Sequence, residues 1–189
     1  MSYTIDIKTR NSMREKIIAG AKNFKIHLMN KTFAITCNNN EIYYVRFFAK
    51  DFQHLTGLLS NIPEMEFFER CYDETISVEN ILENQKYNIS TLKFKTNKVA
   101  NIQDVMYSAT DGGLFMINLH THTRTYPVAI RNKNINVCVG FTGNMNRART
   151  LRKYTNSNNT DEQLEIVSIF CKNNDPVLCD QLVYKSGKM

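Results

Sequence analysis

The chain has 189 residues, 42% of them hydrophobic and 11% aromatic, which suits one globular domain with its own core and excludes collagenous and low-complexity classes. No apolar run is long enough to span a bilayer, and residues 1–10 lack the apolar segment of a signal peptide, so we expect a cytoplasmic protein with no membrane partner. The net charge of +6 favours a polyanionic partner.

The reactive residue types are scattered along the chain. The cysteines are odd in number and contain no C-x-x-C pair, which predicts free, mostly buried thiols rather than a zinc or redox site: Cys37, Cys71, Cys138, Cys171 and Cys179. The sequence contains no P-loop, nucleophile elbow or dinucleotide fingerprint, and its carboxylates form no metal-nuclease motif. We therefore expect no metal and no cofactor.

The first predicted element is a helix from about Met13 to Leu28. Ser12 and Glu15 have the spacing of a capping box, and apolar residues follow at helical intervals. The alternative interpretation makes residues 24–28 a strand. Residues 32–36 then form a strand, and the asparagines at 38–40 join it to the next strand as a hairpin.

The stretch from Glu41 to Leu59 predicts a strand that turns into a helix. Residues 42–48 alternate as a strand does, and Asp51 is placed to cap the helix that follows. His54 lies beside the apolar stripe of that helix, with Lys50 and Arg46 before it. The imidazole of His54, which titrates near neutral pH, is therefore expected close to two cations. The alternative is a hydrogen-bonded structural histidine beside solvated cations.

The rest of the chain predicts short helices and then strands. Pro63 suits a helix start, Ser77 caps a short helix through Leu82, and residues 98–107 have helical periodicity. Strands follow at 114–119, 121–130 and 135–141, and a hairpin at 164–170 and 177–184. The predicted class is α+β, with N-terminal and central helices packed on an antiparallel β-sheet.

Two late segments have the chemistry of a site. Arg147, Arg149, Arg152 and Lys153 bring four positive charges within seven residues, with Thr150 able to bond phosphate and Tyr154 able to stack on a base. This mixture favours RNA over a membrane surface; the alternative is a solvated face.

The second segment is His120-Thr121-His122 with Arg124. On a strand, positions 120, 122 and 124 share one face, so the two imidazoles could serve as acid and base or as metal ligands. An exposed polar face is the alternative.

Residues 45–58, VRFFAKDFQHLTGL, resemble the hallmark of a phage-associated nuclease family in the barnase, EndoU, colicin E5/D and RelE-like (BECR) superfamily. Phe52, His54, Leu55 and Gly57 match its F-x-H-L-x-G-type helix. Similarity outside the motif extends over about residues 24–184 and includes the Asn30-Lys31-x-Phe33 turn and an Arg149-Thr150 element among the closing strands. The resemblance implies a single-domain BECR-like ribonuclease fold.

The resemblance also implies a metal-independent endoribonuclease that cleaves RNA by 2′-hydroxyl attack, as a toxin or a phage or mobile-element effector with a possible antitoxin or immunity protein. His54 would be its acid or base, Arg149 would bind the scissile phosphate, and Thr150 would donate a hydrogen bond. The expected substrate-binding residues are Arg46, Lys50, His122, Arg152, Lys153 and Tyr154. The alternatives are a catalytically inactive RNA- or DNA-binding module and a protein-binding inhibitor.

Overall fold

The computed structural model describes residues 5–107, 113–121, 124–143, 145–154, 160–173 and 181–185. Helices occupy most of the chain before residue 108 and strands most of the rest. The helices are α1 (Ile7–His27), α2 (Phe52–Thr56), α3 (Glu64–Tyr72), α4 (Ile89–Val99) and α5 (Asp104–Tyr107), with 3₁₀ turns at Ala49–Asp51 and Val78–Asn80. The strands are β1 (Lys31–Cys37), β2 (Ile42–Arg46), β3 (Leu114–His120), β4 (Thr125–Asn132), β5 (Val137–Thr142), β6 (Arg147–Lys153), β7 (Glu162–Asn173) and β8 (Gln181–Lys185).

The first helix begins earlier than predicted. Asp6 is its N-cap and accepts a hydrogen bond from the Thr9 amide at 2.8 Å, so Ser12 lies inside the helix and the predicted capping box is wrong. The helical interpretation holds through His27, which excludes the strand alternative. The buried stripe of α1 follows the predicted spacing, because helical periodicity decides which face meets the core: Met13, Ile17, Gly20, Ala21 and Phe24.

Seven strands close into a ring, in the order β1-β2-β6-β5-β4-β3-β7 and back to β1. Neighbours pair antiparallel except at one junction, where Arg46 of β2 and Arg147 of β6 pair in parallel. Strand β8 pairs with β7 outside the ring. The early hairpin of β1 and β2 therefore fills the gap between two late strands and closes the barrel.

The predicted architecture of helices on an open antiparallel sheet is wrong on this point. The sheet is mixed and closed, because β1 pairs with β7 as well as with β2, and β2 also pairs with β6. Period-2 patterns reveal where strands are but not which edges meet. Closure removes the free edges that an open sheet would leave at the hairpin.

The main core continues from the helices into the inside of the ring. Phe24 of α1 packs edge-on against Phe47 at a centroid distance of 6.0 Å, and Phe47 packs against Phe141 of β5 at 5.5 Å. Tyr43 stacks on Phe115 at 4.3 Å although β2 and β3 are not neighbours, so these side chains meet across the ring. A second, smaller cluster covers the other face of β3, β4 and β5: Met116, Leu119, Tyr126, Ala129, Cys138 and Tyr154.

Several boundaries differ from the sequence-based predictions. The helix expected at 98–107 is replaced by α4, which Asn88 caps by accepting from the Thr91 amide at 2.8 Å, and by the short α5. The strand predicted from Thr121 begins at Thr125. Of the predicted turn at 173–176, residues 174–176 lie outside the described part of the chain.

The expected buried thiols are confirmed for Cys37, Cys71 and Cys138, which are buried and free. Cys171 is also buried, and Cys179 lies outside the described residues. Among the helices that the structure describes, none is long and apolar enough to cross a membrane.

Candidate active site

His54 lies on α2, in the corner that follows β2. The helix ends after Thr56 because Gly57 adopts a left-handed conformation, with φ of 74°. Asp51 does not cap α2 as predicted. Its fully buried carboxylate accepts instead from the Phe48 amide at 3.3 Å and from the guanidinium of Arg147 on β6. This buried ion pair ties the corner to the strand that carries the basic segment.

The environment of His54 keeps its imidazole neutral. Oε1 of Glu64 lies 2.8 Å from Nε2, so the carboxylate stands beside this nitrogen. Burial lowers the pKa of His54 below its usual value, and the positive charge of Arg149 lowers it further. The negative charges of Glu64 and Asp51 act in the opposite direction but do not reverse the shift. A neutral imidazole beside a carboxylate has the form of an oriented base.

Arg149 lies at an irregularity in β6. Gly140 of β5 pairs with Thr150 and Phe141 pairs with Ala148, which leaves Arg149 as the extra residue of a β-bulge. A bulge changes the direction in which side chains leave a strand. Arg149 is near enough to His54 for its charge to lower the pKa of the imidazole, although 95 residues separate the two in the chain. Helix α2 packs directly against β6.

A cleft of about 620 Å³ opens between α4 with its preceding loop and the outer face of β4 and β6. Tyr126 forms part of its floor over Gly140, where a Cβ atom would come within 2.8 Å of the tyrosine ring. Three residues that the sequence analysis selected line the cleft: Thr150, Arg152 and Lys153. His54 and Arg149 do not line it. The other lining residues are Lys86, Tyr87, Ser90, Thr91, Phe94, Lys95 and Tyr126.

Lys95 is the lining residue that the sequence analysis missed. It is 2% exposed, its Nζ donates to the carbonyl of Leu151, and the ring of Tyr87 lies 4.7 Å from Nζ. Burial and the nearby charge of Arg152 lower its pKa to about 8. The sequence does contain an indication that Lys95 is unusual. It lies in the buried stripe of α4 with Leu92 and Val99, where an apolar residue is expected.

The burial of Lys95 predicts an unusual pH dependence of stability. Its pKa is about 8 in the folded protein and 10.5 when exposed, so between these values the unfolded chain binds more protons and stability rises with pH. Relative to Lys95→Met, the wild-type protein should therefore gain about 3 kcal/mol in free energy of unfolding between pH 7 and pH 11. Urea unfolding of both proteins across that range measures the gain, and a constant difference would contradict the prediction.

Of the remaining predicted binding residues, Arg46, Lys50 and Tyr154 lie in the described part of the chain. Arg46 donates through Nε to Thr32 Oγ1 at 3.1 Å, and Lys50 is exposed on the 3₁₀ turn. Tyr154 is 7% exposed, and the guanidinium of Arg131 stacks 3.3 Å above its ring. His122 lies outside the described residues.

His120 lies in a polar cluster at the end of β3 and does not line the cleft. Its Nε2 lies 2.8 Å from Asp161 Oδ1, and its Nδ1 lies 3.0 Å from Thr125 Oγ1. Because β3 ends at His120 and β4 begins at Thr125, the predicted continuous strand face through Arg124 is wrong. No group of three or more potential metal-ligating side chains occurs in the described part of the chain.

Comparison with known proteins identifies one family. The family model of phage-Barnase-EndoU-ColicinE5/D-RelE like nuclease4 matches residues 16–188, which confirms the resemblance seen around His54. No curated protein and no solved structure matches the chain.

Proposed function

The chain belongs to this phage-associated nuclease family, and on that premise we propose that it is a metal-independent endoribonuclease. It cleaves RNA by attack of the ribose 2′-hydroxyl on the adjacent phosphate, as an effector of a phage or mobile element that a dedicated antitoxin or immunity protein restrains. The observation that carries this proposal is the course of β6. One bulged strand presents Arg149 to His54 and presents Thr150, Arg152 and Lys153 to a cationic cleft.

The roles follow from charge and protonation. His54 is the general base, because a neutral imidazole accepts the proton of the 2′-hydroxyl at neutral pH and Glu64 stands beside its ring. Arg149 binds the scissile phosphate, since a guanidinium holds two phosphate oxygens at once. Thr150 donates a hydrogen bond to the bound RNA from the cleft. His54 lies on α2, and Arg149 and Thr150 lie on β6, which packs against α2; of the three, Thr150 lines the cleft.

The cleft itself suits the flanking nucleotides of an RNA strand. Its charged lining residues are all cations, a set that attracts phosphate and repels a metal ion: Lys86, Lys95, Arg152 and Lys153. Tyr87 and Tyr126 add aromatic rings on which a base can stack. Arg46 and Lys50 extend the positive surface near the corner.

The decisive experiment incubates the purified protein with RNA in EDTA. We expect products that end in 2′,3′-cyclic phosphate and 5′-hydroxyl groups, with no cleavage of DNA of the same sequence, because DNA lacks the attacking hydroxyl. Absence of products at high enzyme concentration, together with salt-sensitive RNA binding, would favour an inactive binding module. Capture of one protein partner without nucleic acid would favour an inhibitor.

A further inference from the structure

Four adjacent strands, β2, β1, β7 and β8, share an outward face that the cleft does not include. Their inward side chains fill the core, as the fully buried Phe33 and Ile35 of β1 do. Successive side chains of a strand point to opposite sides, so the residues between the buried ones face outward. The pairing register arranges these residues in rows across the strands, and we call them the outer sheet face: Arg46-Thr32-Lys172, Tyr44-Ala34-Phe170-Leu182 and Ile42-Thr36-Ser168-Lys185.

The middle row of the outer sheet face is apolar and open to solvent. Tyr44 is 53% exposed and Phe170 is 40% exposed, and Ala34 between them carries only a methyl group. Neighbouring strands are about 4.8 Å apart, so the two aromatic residues are roughly 10 Å apart with no large side chain between them. Leu182 and Ile42 add exposed apolar surface beside them. Exposed rings on a sheet form a platform on which unpaired bases can stack.

The charges beside the rings indicate which kind of partner suits the outer sheet face. No carboxylate occupies any of its positions, whereas three cations do: Arg46, Lys172 and Lys185. Glu41 and Glu165 lie beyond the third row, where their backbone carbonyls accept hydrogen bonds from the amides of Cys37 and Asn38. Lysine is depleted in protein–protein interfaces, while aromatic rings interleaved with cations are typical of surfaces that bind single-stranded nucleic acid. The composition therefore favours RNA over a protein partner.

The outer sheet face begins one strand away from the candidate active site. Strand β2 lies next to β6 in the ring, and β6 carries Arg149 and lines the cleft with Thr150. Arg46 of the first row pairs with Arg147 of β6. Strand β2 also leads through the 3₁₀ turn into α2, which carries His54. An RNA strand that occupies the site can therefore continue onto this face.

We propose that the outer sheet face binds unpaired nucleotides of the RNA substrate beyond those held in the cleft. Tyr44 and Phe170 stack on bases. Arg46, Lys172 and Lys185 contact phosphates. Stacking tolerates any base but needs bases that are not already stacked in a duplex, so this face selects single-stranded RNA. The inference rests on the proposed endoribonuclease function and names its substrate class, an unpaired RNA long enough to reach both surfaces.

A fluorescent reporter on the outer sheet face tests the stacking directly. The sequence contains no tryptophan, so Phe170→Trp introduces a single reporter. The probe is 2′-O-methyl oligouridine, which is single-stranded and lacks the free 2′-hydroxyl that cleavage needs. Stacking of uracil on the indole ring should quench the emission, whereas an abasic oligonucleotide of the same length and charge should not. Ile7→Trp, at an exposed position of α1, is the matched control and should be quenched by neither probe.

Cleavage kinetics give an independent test of the same face. Tyr44→Ser and Phe170→Ser should each raise KM for a long single-stranded substrate by about 5- to 100-fold, the effect of one lost base stack, and should affect kcat far less. The loss should disappear on a dinucleotide, which is too short to reach the face. Ile7→Ser, which removes an exposed apolar side chain elsewhere, should leave KM for both substrates unchanged.

The outcomes distinguish this inference from the proposed function. RNA binding without quenching of Phe170→Trp, or equal quenching by the abasic oligonucleotide, would overturn the role of the outer sheet face alone. Emission that changes with protein concentration in the absence of RNA would identify the face as an interface between copies of the chain and overturn it as well. If Phe170→Trp does not fold, Tyr44→Trp replaces it. A wild-type protein that neither binds nor cleaves RNA would overturn both the proposed function and this inference.

Discussion

Replacing His54 by alanine is expected to lower the rate of RNA cleavage by about 10²–10⁴-fold, the usual contribution of a positioned acid or base. The variant should fold, because His54 lies at the edge of the helical core with its side chain 29% exposed and its neighbours on α2 carry the packing. Single-turnover cleavage rates measure the effect, and thermal unfolding checks the fold. His27→Gln on α1 is the matched control, a histidine outside the corner and the cleft.

The protonation of His54 gives the same prediction a pH dependence. Activity needs the neutral imidazole, and burial with Arg149 lowers its pKa, so the acidic limb of the wild-type rate profile should lie below the usual pKa of 6.5. Replacing Glu64 by Gln removes a charge that raises this pKa and should move the limb to still lower pH. RNA cleavage that survives His54→Ala at the wild-type rate would show that another residue is the base.

Replacing Arg147 by methionine is expected to lower the free energy of unfolding by about 3–5 kcal/mol. The reason is the carboxylate of Asp51, which is fully buried and would lose its ionic partner. Arg147 engages both carboxylate oxygens, the second through Nε at 3.3 Å, and it sits where β2 meets β6. The variant should therefore weaken the junction that closes the ring. Urea unfolding of the two proteins measures the change.

A surface ion pair gives the matched control for this prediction. Arg70 and Glu66 lie one turn apart on α3 with side chains 42% and 40% exposed, so Arg70→Met should change stability by less than about 1 kcal/mol. The double variant with Asp51→Asn and Arg147→Met should recover much of the loss, since no unpaired charge stays buried. If Arg147→Met proved as mild as Arg70→Met, the pair would have no structural role.

The corner around His54 shows what local pattern predicts well. The alternation of residues predicted β2. The motif around Gly57 predicted a short helix, which ends where glycine permits a left-handed backbone conformation. Asp51 shows the limit of such reasoning. Local pattern predicts that Asp51 caps α2. Its buried carboxylate instead pairs with the guanidinium of Arg147, 96 residues away in the chain, which is the stronger partner.

Lys95 and Arg149 show why the site itself was only partly predictable. The density of charge predicts Arg149 as a site residue, but no periodicity reveals that it is the extra residue of a bulge or that its charge acts on His54. The sequence does not predict Lys95 as a site residue, because a lysine among apolar positions only weakens the helical pattern. Its meaning appears only when α4 lies against β6 and encloses the cleft.

Short-range patterns in the sequence predict the secondary structure of most segments, the basic character of β6 and the family to which the chain belongs. These depend on short-range pattern, on spacing within one element and on a motif of a few residues. Only the folded structure shows that the sheet closes and that the charge of Arg149, far away in the chain, acts on His54. Strand partners, bulges and buried charges are set by contacts between residues far apart in the chain, and no local pattern encodes them.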